Sequence, residues 1–198
     1  MSVARASDVA PFILAFGDSL TSGHGLAAAD SFPAQLEALL RATHPGAYVR
    51  NAGVSGDTTA SGLARLPRLL SRLDRRPDLA IVELGANDML RFVDPQQIRR
   101  NLDAILDQFA SCGIPVLLAG MMAPLLLGSL ANRLNAIYPD LAAKHGVPLY
   151  PFFLNGAIGQ GLSLRDGIHP NARAMGIVAR GILPAVVAAL ATPAAAAA

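Results

Sequence analysis

Apolar runs of strand length alternate along the chain with longer segments in which apolar residues recur every three or four positions. The short runs show almost no apolar-polar alternation, which is typical of strands that are buried on both faces. They predict five strands, at residues 12–16, 48–51, 79–84, 115–119 and 147–150.

Helices are predicted between these strands, where capping residues precede the periodic segments and Gly or Pro follows them. The first begins at Asp30 or Ser31, with Pro33 in its first turn, and ends at the breaker residues 44–46. The others span residues 58–73 with a kink or restart at Pro67, 95–113 after the cap Asp94, 129 or 130 to 145, and 171–190.

This alternation predicts an α/β fold, specifically a three-layer α/β/α sandwich around a parallel five-stranded sheet. Parallel strands joined by crossover helices need cover on both faces and right-handed connections. In such sheets ligands bind outside the carboxyl ends of the strands. Chemistry is therefore expected in the segments that directly follow strands.

The length of 198 residues is typical of one domain, which can bury about 70% of the surface that the unfolded chain exposes. We assign residues 12–190 to this domain, residues 1–11 to an N-terminal extension and the Ala-rich residues 191–198 to a disordered tail. Cys112 is the single cysteine. A disulfide scaffold and a multi-cysteine metal site are therefore excluded.

Charge and hydropathy indicate neither a nucleic-acid partner nor a membrane span. The chain has 16 Lys and Arg residues against 14 Asp and Glu residues, and no basic block interleaved with aromatic residues. The densest basic group, from Arg65 to Arg76, recurs at helical spacing opposite leucines and is interpreted as a solvated helix face. No run of 18 apolar residues and no signal peptide is recognisable. We therefore expect a soluble protein without a transmembrane segment.

Four segments combine small residues with polar side chains. They are residues 17–25, 51–58 and 85–88, which follow the first three strands, and residues 166–170 before the last helix. Each one alone is explained by a turn or a helix cap. Together they place a serine, a histidine, an asparagine and carboxylates beside strand ends or a helix start.

Ser19, Asp166 and His169 form a candidate catalytic triad. A serine hydroxyl becomes a nucleophile when a base takes its proton, and a third group must orient that base. Asp166 lies three residues before His169, so its carboxylate can reach the imidazole Nδ1 and leave Nε2 facing Ser19. The candidate oxyanion donors are the N–H groups of Ser19 and Gly56 and the side-chain amide of Asn87.

The order Ser19, Gly56, Asn87 and His169 resembles that of the SGNH hydrolases, the GDSL esterase and lipase group. The likeness covers about residues 12–190 and is greatest to the bacterial arylesterases and multifunctional thioesterase/lysophospholipases. It implies a flavodoxin-like fold, the triad and oxyanion roles given above, and no cofactor. The supporting strings are FGDSLT from residue 16, NAGVSGDT from 51, VELGAND from 82, AIYPDL from 136 and DGIHP from 166.

The loop after the fourth strand departs from the family pattern, because residues 121–128 read MMAPLLLG where a polar and aromatic stretch is usual. An apolar acyl site is one interpretation, and ordinary core packing is the other. The candidate substrate-binding residues are His24, in the loop of the nucleophile, and Met121, Met122, Pro124 and Leu125.

No metal site is predicted. The loop carboxylates each flank a turn or a helix start, where aspartate is common as a cap; they are Asp18, Asp57, Asp88 and Asp166. Glu83 lies inside an apolar strand and is expected to be paired or protonated, with a structural role.

The expected function is hydrolysis of short- to medium-chain carboxylic esters through an acyl-enzyme on Ser19. The alternatives are a thioesterase or lysophospholipase with the same triad and, from another class, a non-catalytic ligand-binding α/β module. The expected partner is a small ester, and the oligomeric state stays open. The resemblance suggests a periplasmic or secreted protein whose signal peptide has been removed, and the alternative location is the cytoplasm.

Overall fold

Five parallel strands form one sheet in the order β2-β1-β3-β4-β5. The computed structural model describes residues 10–192. The sheet confirms the predicted flavodoxin-like architecture, and each strand boundary agrees with the prediction to within two residues. The strands are β1 (Phe12–Gly17), β2 (Tyr48–Gly53), β3 (Leu79–Glu83), β4 (Val116–Ala119) and β5 (Leu149–Tyr150).

Helices connect the strands and cover the sheet. Strands β1, β3 and β4 are buried along their whole length, as expected for a sheet with helices on both faces. The helices within the described residues are α1 (Ser19–Ser22), α2 (Phe32–Leu40), α3 (Thr59–Leu70), α4 (Ala86–Leu90), α5 (Pro95–Ser111), α6 (Ser129–Asn135), α7 (Ile137–His145) and α8 (Ala172–Ala191).

Two groups of helices make the outer layers. Helix α2 packs against α8, while α3 packs against α5, which also contacts α7. In the layer of α3 and α5, the buried ring of Phe16 meets Phe109 edge to face. In the layer of α2, Phe32 meets Phe153 in the same way. The hydrophobic core therefore lies on both sides of the central strands.

Side-chain caps determine where several helices begin. At α3, Thr58 Oγ1 accepts a hydrogen bond from the Ser61 N–H at 3.3 Å, and Ser61 Oγ accepts one from the Thr58 N–H at 2.8 Å. Asp94 and Asn171 likewise accept backbone N–H groups at the starts of α5 and α8. The sequence predicts these starts correctly because the capping residues are local signals.

Three features of the helices differ from the prediction. Helices α1 and α4 are absent from it, because four or five residues are too few for a helical period to show. The single helix predicted up to residue 145 is two helices, α6 and α7. Pro139 explains the break, since it has no N–H to donate to the carbonyl of Asn135. Helix α3, by contrast, is continuous through Pro67.

The ends of the chain are described only in part. Helix α8 continues to Ala191, one residue beyond the predicted end of the domain. Residues 1–9 and 193–198, which include most of the expected N-terminal extension and of the expected Ala-rich tail, lie outside the described residues.

Helix α8 is long and apolar enough to cross a membrane by length and composition alone. In the structure it contacts α2 and β4. Its side chains Met175, Val178, Ile182 and Val186 are buried in the core. These contacts are those of a core helix, which passes the same test of length and hydropathy as a membrane span.

The end of β2 packs directly on the turn that carries Ser19. A Cβ atom on Gly53 would lie 2.2 Å from the backbone nitrogen of Ser22 and 2.8 Å from the carbonyl oxygen of Asp18. Both neighbours are backbone atoms, so neither can move aside as the end of a side chain would. The glycine therefore allows the close approach of β2 to this turn.

We predict that Gly53→Ala lowers the free energy of unfolding by about 1–3 kcal/mol, because the added methyl group forces two backbone segments apart. Urea unfolding measures the change. Gly181→Ala is the matched control, because its Cβ would meet only the hydroxyl end of the Tyr150 side chain. Equal destabilisation by the two substitutions would contradict this account of Gly53.

Candidate active site

The four motif segments meet at the carboxyl edge of the sheet. Residues 17–25 and 51–58 begin in the last residues of β1 and β2, and residues 85–88 follow β3. Gly17 at the end of β1 is in register with the ends of both neighbouring strands. Because the strands are parallel, the loops that follow them lie at one edge. Residues 166–170, which precede α8, reach the same edge through the contact of His169 with Ser19.

Ser19 is the first residue of α1, directly after β1. Asp18 caps this short helix, and its Oδ1 accepts a hydrogen bond from the Leu20 N–H at 2.9 Å. The half-buried Ser19 has its Oγ 3.2 Å from Nε2 of His169. The fold thus brings together two side chains that are 150 positions apart in the sequence.

Asp166 contacts His169 through both carboxylate oxygens. Its Oδ2 lies 2.7 Å from the ring Nδ1, and its Oδ1 accepts hydrogen bonds from the N–H groups of Ile168 and His169 at 2.9 and 3.0 Å. The bond from the imidazole, followed by the two backbone bonds, lowers the pKa of Asp166 to about 2. The ionised carboxylate at Nδ1 favours the tautomer in which Nε2 accepts a hydrogen bond from Ser19.

Gly56 lies in the loop after β2, at the same edge as Ser19. Its φ of +85° places it in the left-handed region, which glycine adopts without strain. The Gly56 carbonyl accepts a hydrogen bond from the side chain of Arg91 at 3.1 Å. Within the described residues its N–H donates no hydrogen bond to the protein, so this donor is free for a ligand.

Asn87 lies on α4, directly after β3. Its Nδ2 donates to the Asp57 carbonyl at 2.9 Å and to Oδ2 of Asp18 at 3.1 Å. Both hydrogens of the amide are therefore engaged by the protein. The longer of the two bonds is the one to the carboxylate beside Ser19.

Asp18 joins the turn of Ser19 to Asn87. Its carboxyl group is fully buried, and burial raises its pKa to about 6 against the opposing hydrogen bonds from Leu20 and Asn87. Above that pH the ionised carboxylate accepts hydrogen bonds from both sides.

Glu83, at the end of β3, is a second buried carboxyl group at this edge. Its Oε2 accepts a hydrogen bond from the Thr21 hydroxyl at 2.7 Å, while its Oε1 has no hydrogen-bond partner. Burial, and then the nearby charge of Asp18, raises the pKa of Glu83 well above its ordinary value. Burial therefore favours the protonated form of Glu83, and its hydrogen bond with Thr21 is structural, as its apolar strand predicts.

The sequence predicts that Arg65 belongs to a solvated helix face, but its side chain contacts other elements of the fold. Its Nε pairs with the Asp57 carboxylate, its Nη2 donates to the Gly17 carbonyl at 3.0 Å, and its Cζ lies 4.3 Å from the centre of the Phe16 ring. The guanidinium group thus ties the loop after β2 to the end of β1. Helical periodicity cannot reveal these contacts, because the partners belong to other elements.

A buried hydrogen-bond network anchors α4. Asp88 accepts hydrogen bonds from the N–H and the hydroxyl of Thr59 at 2.8 and 2.6 Å, and Asn101 donates to the same hydroxyl at 2.9 Å. Asp88 therefore joins α4 to the start of α3 and fixes the position of its neighbour Asn87.

His24 lies beside His169, with the two ring centroids 4.4 Å apart. Ligand atoms of His24, Asp166 and His169 lie within 4.8 Å of one another, close enough to share a metal ion. Asp166 and the Nδ1 of His169 are already bonded to each other. The triad interpretation therefore accounts for two of the three side chains without a metal.

The predicted substrate loop divides into buried and exposed residues. Met121 is buried in the core, as the alternative interpretation of this loop expects, whereas Met122, Pro124 and Leu125 are exposed. A cleft of about 330 Å³ begins further along the loop, at Leu127. Sequence analysis missed most of the lining residues, because they come from separate helices and loops that only the fold brings together. The apolar lining consists of Met89, Phe92, Val93, Pro95, Leu127, Leu130 and Leu134.

Comparisons with known proteins identify the family of the chain. The profile of the GDSL-like lipase/acylhydrolase family matches residues 15–177. The chain is 39% identical over 160 residues to the esterase TesA of Pseudomonas aeruginosa, covering 80% of this chain and 79% of that protein. It is 38% identical over 169 residues to the thioesterase 1/protease 1/lysophospholipase L1 of Escherichia coli, covering 84% and 79%. The solved structure of AlinE4, an SGNH-hydrolase family esterase, matches with a TM-score of 0.77 and 43% identity, covering 94% and 100%.

A serine in contact with a histidine at the carboxyl edge of a flavodoxin-like sheet is the arrangement of an acyl hydrolase. The chain belongs to the GDSL-like lipase/acylhydrolase family and is a carboxylic ester hydrolase. The family, the fold and the class of enzyme that the sequence predicts are thereby confirmed.

We predict that the free energy of unfolding of Glu83→Gln, relative to that of the parent protein, increases as the pH rises from 5 to 8. The pKa of Glu83 is raised in the folded chain. The folded state therefore holds this proton more tightly than the unfolded state does, and the free energy of unfolding falls as the pH rises. A neutral amide of the same shape removes this loss. Urea unfolding across the pH range measures the difference between the two proteins. A difference in the free energy of unfolding that stays constant or shrinks as the pH rises would contradict the raised pKa of Glu83.

Proposed function

We propose that Ser19 is the nucleophile of a serine esterase, with His169 as its base and Asp166 as the carboxylate that orients the base. The observation that carries this proposal is the hydrogen-bonded series from Ser19 Oγ to His169 Nε2 and from His169 Nδ1 to Asp166 Oδ2. Each member has the neighbour that its chemical role requires.

In the first half of the reaction, Ser19 Oγ attacks the ester carbonyl carbon while Nε2 of His169 takes the hydroxyl proton. The tetrahedral intermediate then collapses, the bond to the alcohol oxygen breaks, and His169 protonates the leaving alcohol. In the second half, His169 removes a proton from water, which attacks the acyl carbon. The bond from that carbon to Ser19 Oγ then breaks, the acid is released, and His169 returns its proton to Ser19 Oγ. The sequence-based expectation that no cofactor is required agrees with this scheme.

The oxyanion of the intermediate is placed against the N–H groups of Ser19 and Gly56 and the side-chain amide of Asn87. To serve this role, one N–H of the Asn87 amide must exchange its acceptor in the protein for the oxyanion. The 3.1 Å bond to Asp18 is the longer one, and the 2.9 Å bond to the Asp57 carbonyl can keep the amide in place. Preorganised donors of this kind stabilise the charge that develops in the transition state.

The cleft beside α4 suits a short- to medium-chain acyl group. Helix α4 carries both Asn87, the proposed oxyanion donor, and Met89, which lines the cleft. The volume of about 330 Å³ is at the small end of the range for ligand sites. An apolar acyl chain of limited length therefore fits a cleft that shares α4 with the proposed oxyanion donor.

Thioester hydrolysis by the same residues is the second candidate, because the relative from Escherichia coli is named a thioesterase and lysophospholipase. The acyl-enzyme would be identical, and only the leaving group would differ. Rates on p-nitrophenyl esters and on acyl thioesters with matched acyl groups, from acetyl to long chains, distinguish the two activities.

We predict that Ser19→Ala lowers kcat on p-nitrophenyl butyrate by roughly 10³-fold or more and abolishes covalent labelling by a fluorophosphonate. Ser111→Ala is the matched control, because the Ser111 hydroxyl bonds to the Gln108 carbonyl at the end of α5 and makes no contact with Ser19. It should keep both activity and labelling. Full activity of the Ser19 variant would overturn the assignment of the nucleophile.

We predict that kcat/KM rises as the pH increases from 5 to 8. His169 must be neutral to act as a base, while Asp166, whose pKa is lowered to about 2, stays ionised throughout. Asp18, whose pKa is raised to about 6, ionises within the same range and then accepts the hydrogen bonds that hold the turn of Ser19 and Asn87. A pH-rate profile measures the effect. A rate that does not change over this range is incompatible with His169 as the base.

A further inference from the structure

The large apolar side chains that remain exposed are concentrated at the edge of the active site. Among the described exposed side chains only Tyr48 lies at the opposite edge, at the start of β2, and the others lie in segments that follow the ends of strands. Six of them are here called the apolar rim: Leu90, Phe92, Met122, Leu125, Leu126 and Ile168.

The apolar rim flanks the proposed catalytic residues in the sequence and in the fold. Its members come from the segment after Asn87, from the loop after β4, and from the position directly before His169. Leu126 is 88% exposed, Phe92 79% and Leu125 76%. Leu125 and Leu126 do not line the cleft, and Phe92, which does line it, still exposes most of its side chain to solvent. Apolar groups gathered in this way on a folded protein mark an interaction surface.

Positive charge accompanies the apolar rim. Arg91 lies between Leu90 and Phe92, and both Arg133 and Arg165 are also exposed on segments at this edge. Arg133 forms no ion pair with another described residue. The exposed carboxylates here are Asp94, which caps α5, and Asp166, which is bonded to His169. The surface therefore combines apolar loop tips with unneutralised arginines.

We propose that this edge docks on the surface of anionic phospholipid aggregates, with the apolar rim inserted among the lipids and the arginines on the phosphate groups. Apolar residues in the interface and arginines at the headgroups are the two contributions that hold proteins on anionic lipid. A second copy of this chain fits less well, because a two-fold contact would bring the same arginines face to face.

The proposal goes beyond the esterase assignment, since docking does not require Ser19 to be the nucleophile. Its consequence is that the edge of the sheet that carries Ser19 faces the lipid surface. Binding can therefore be tested in full-length Ser19→Ala protein, which does not consume the lipid if the proposed function is correct.

The test is co-sedimentation of this protein with vesicles of phosphatidylglycerol and phosphatidylcholine in equal amounts. The double variant Leu125→Ser, Leu126→Ser should lower the partition coefficient by about 10-fold or more, because two exposed leucines no longer insert. Tyr48→Ser, which removes an exposed apolar side chain from the opposite edge, is the matched control and should leave binding unchanged. Arg133→Gln should weaken binding to these vesicles several-fold, and binding to pure phosphatidylcholine much less.

Three results would overturn the proposal. The first is that the protein does not sediment with anionic vesicles. The second is that Tyr48→Ser weakens binding as much as the double leucine variant does. The third is a concentration-dependent dimer in size-exclusion chromatography that the leucine substitutions abolish, which would show that a second copy covers the rim.

Discussion

The active site depends on one buried carboxylate, that of Asp18. It caps the short helix that begins at Ser19, and it accepts a hydrogen bond from the Asn87 amide of a different loop. Burial of this group is unfavourable, as its raised pKa shows. The hydrogen bonds that it accepts offset that cost and hold the proposed nucleophile and an oxyanion donor in one geometry. The position of each depends on the other.

The parallel sheet makes this arrangement available. The ends of β1, β2 and β3 lie side by side, and Gly53 lets the β2 end approach the nucleophile turn at backbone distance. Arg65 then ties the loop after β2 to β1, and Asp88 ties α4 to α3. Neither residue touches the Ser19–His169 pair, yet each fixes a loop that does carry a proposed catalytic group. Rigid elements of this kind position reactive groups better than flexible loops do.

Sequence analysis predicts the strands and most helix starts because each has a local signal. It predicts the meeting of Ser19 with His169, 150 positions apart, from the combination of four motif segments and from the family resemblance. Capping residues mark α3, α5 and α8, and unbroken apolar runs mark the strands. The contacts of Arg65 and the cleft beside α4 depend on which loops the topology brings together, and no local pattern contains that information. The roles of Ser19, His169, Asp166, Gly56 and Asn87 rest on geometry and resemblance, and they remain proposals.

The most direct test of the account is a crystal structure of the protein after reaction with a phosphonate ester. We predict that phosphorus is bonded to Ser19 Oγ, with a phosphoryl oxygen about 3 Å from the nitrogens of Ser19, Gly56 and the Asn87 amide. The Asn87 amide should have left Asp18 and kept its bond to the Asp57 carbonyl. An adduct in which Asn87 still donates to Asp18, and the phosphoryl oxygen points away from all three donors, would contradict the account.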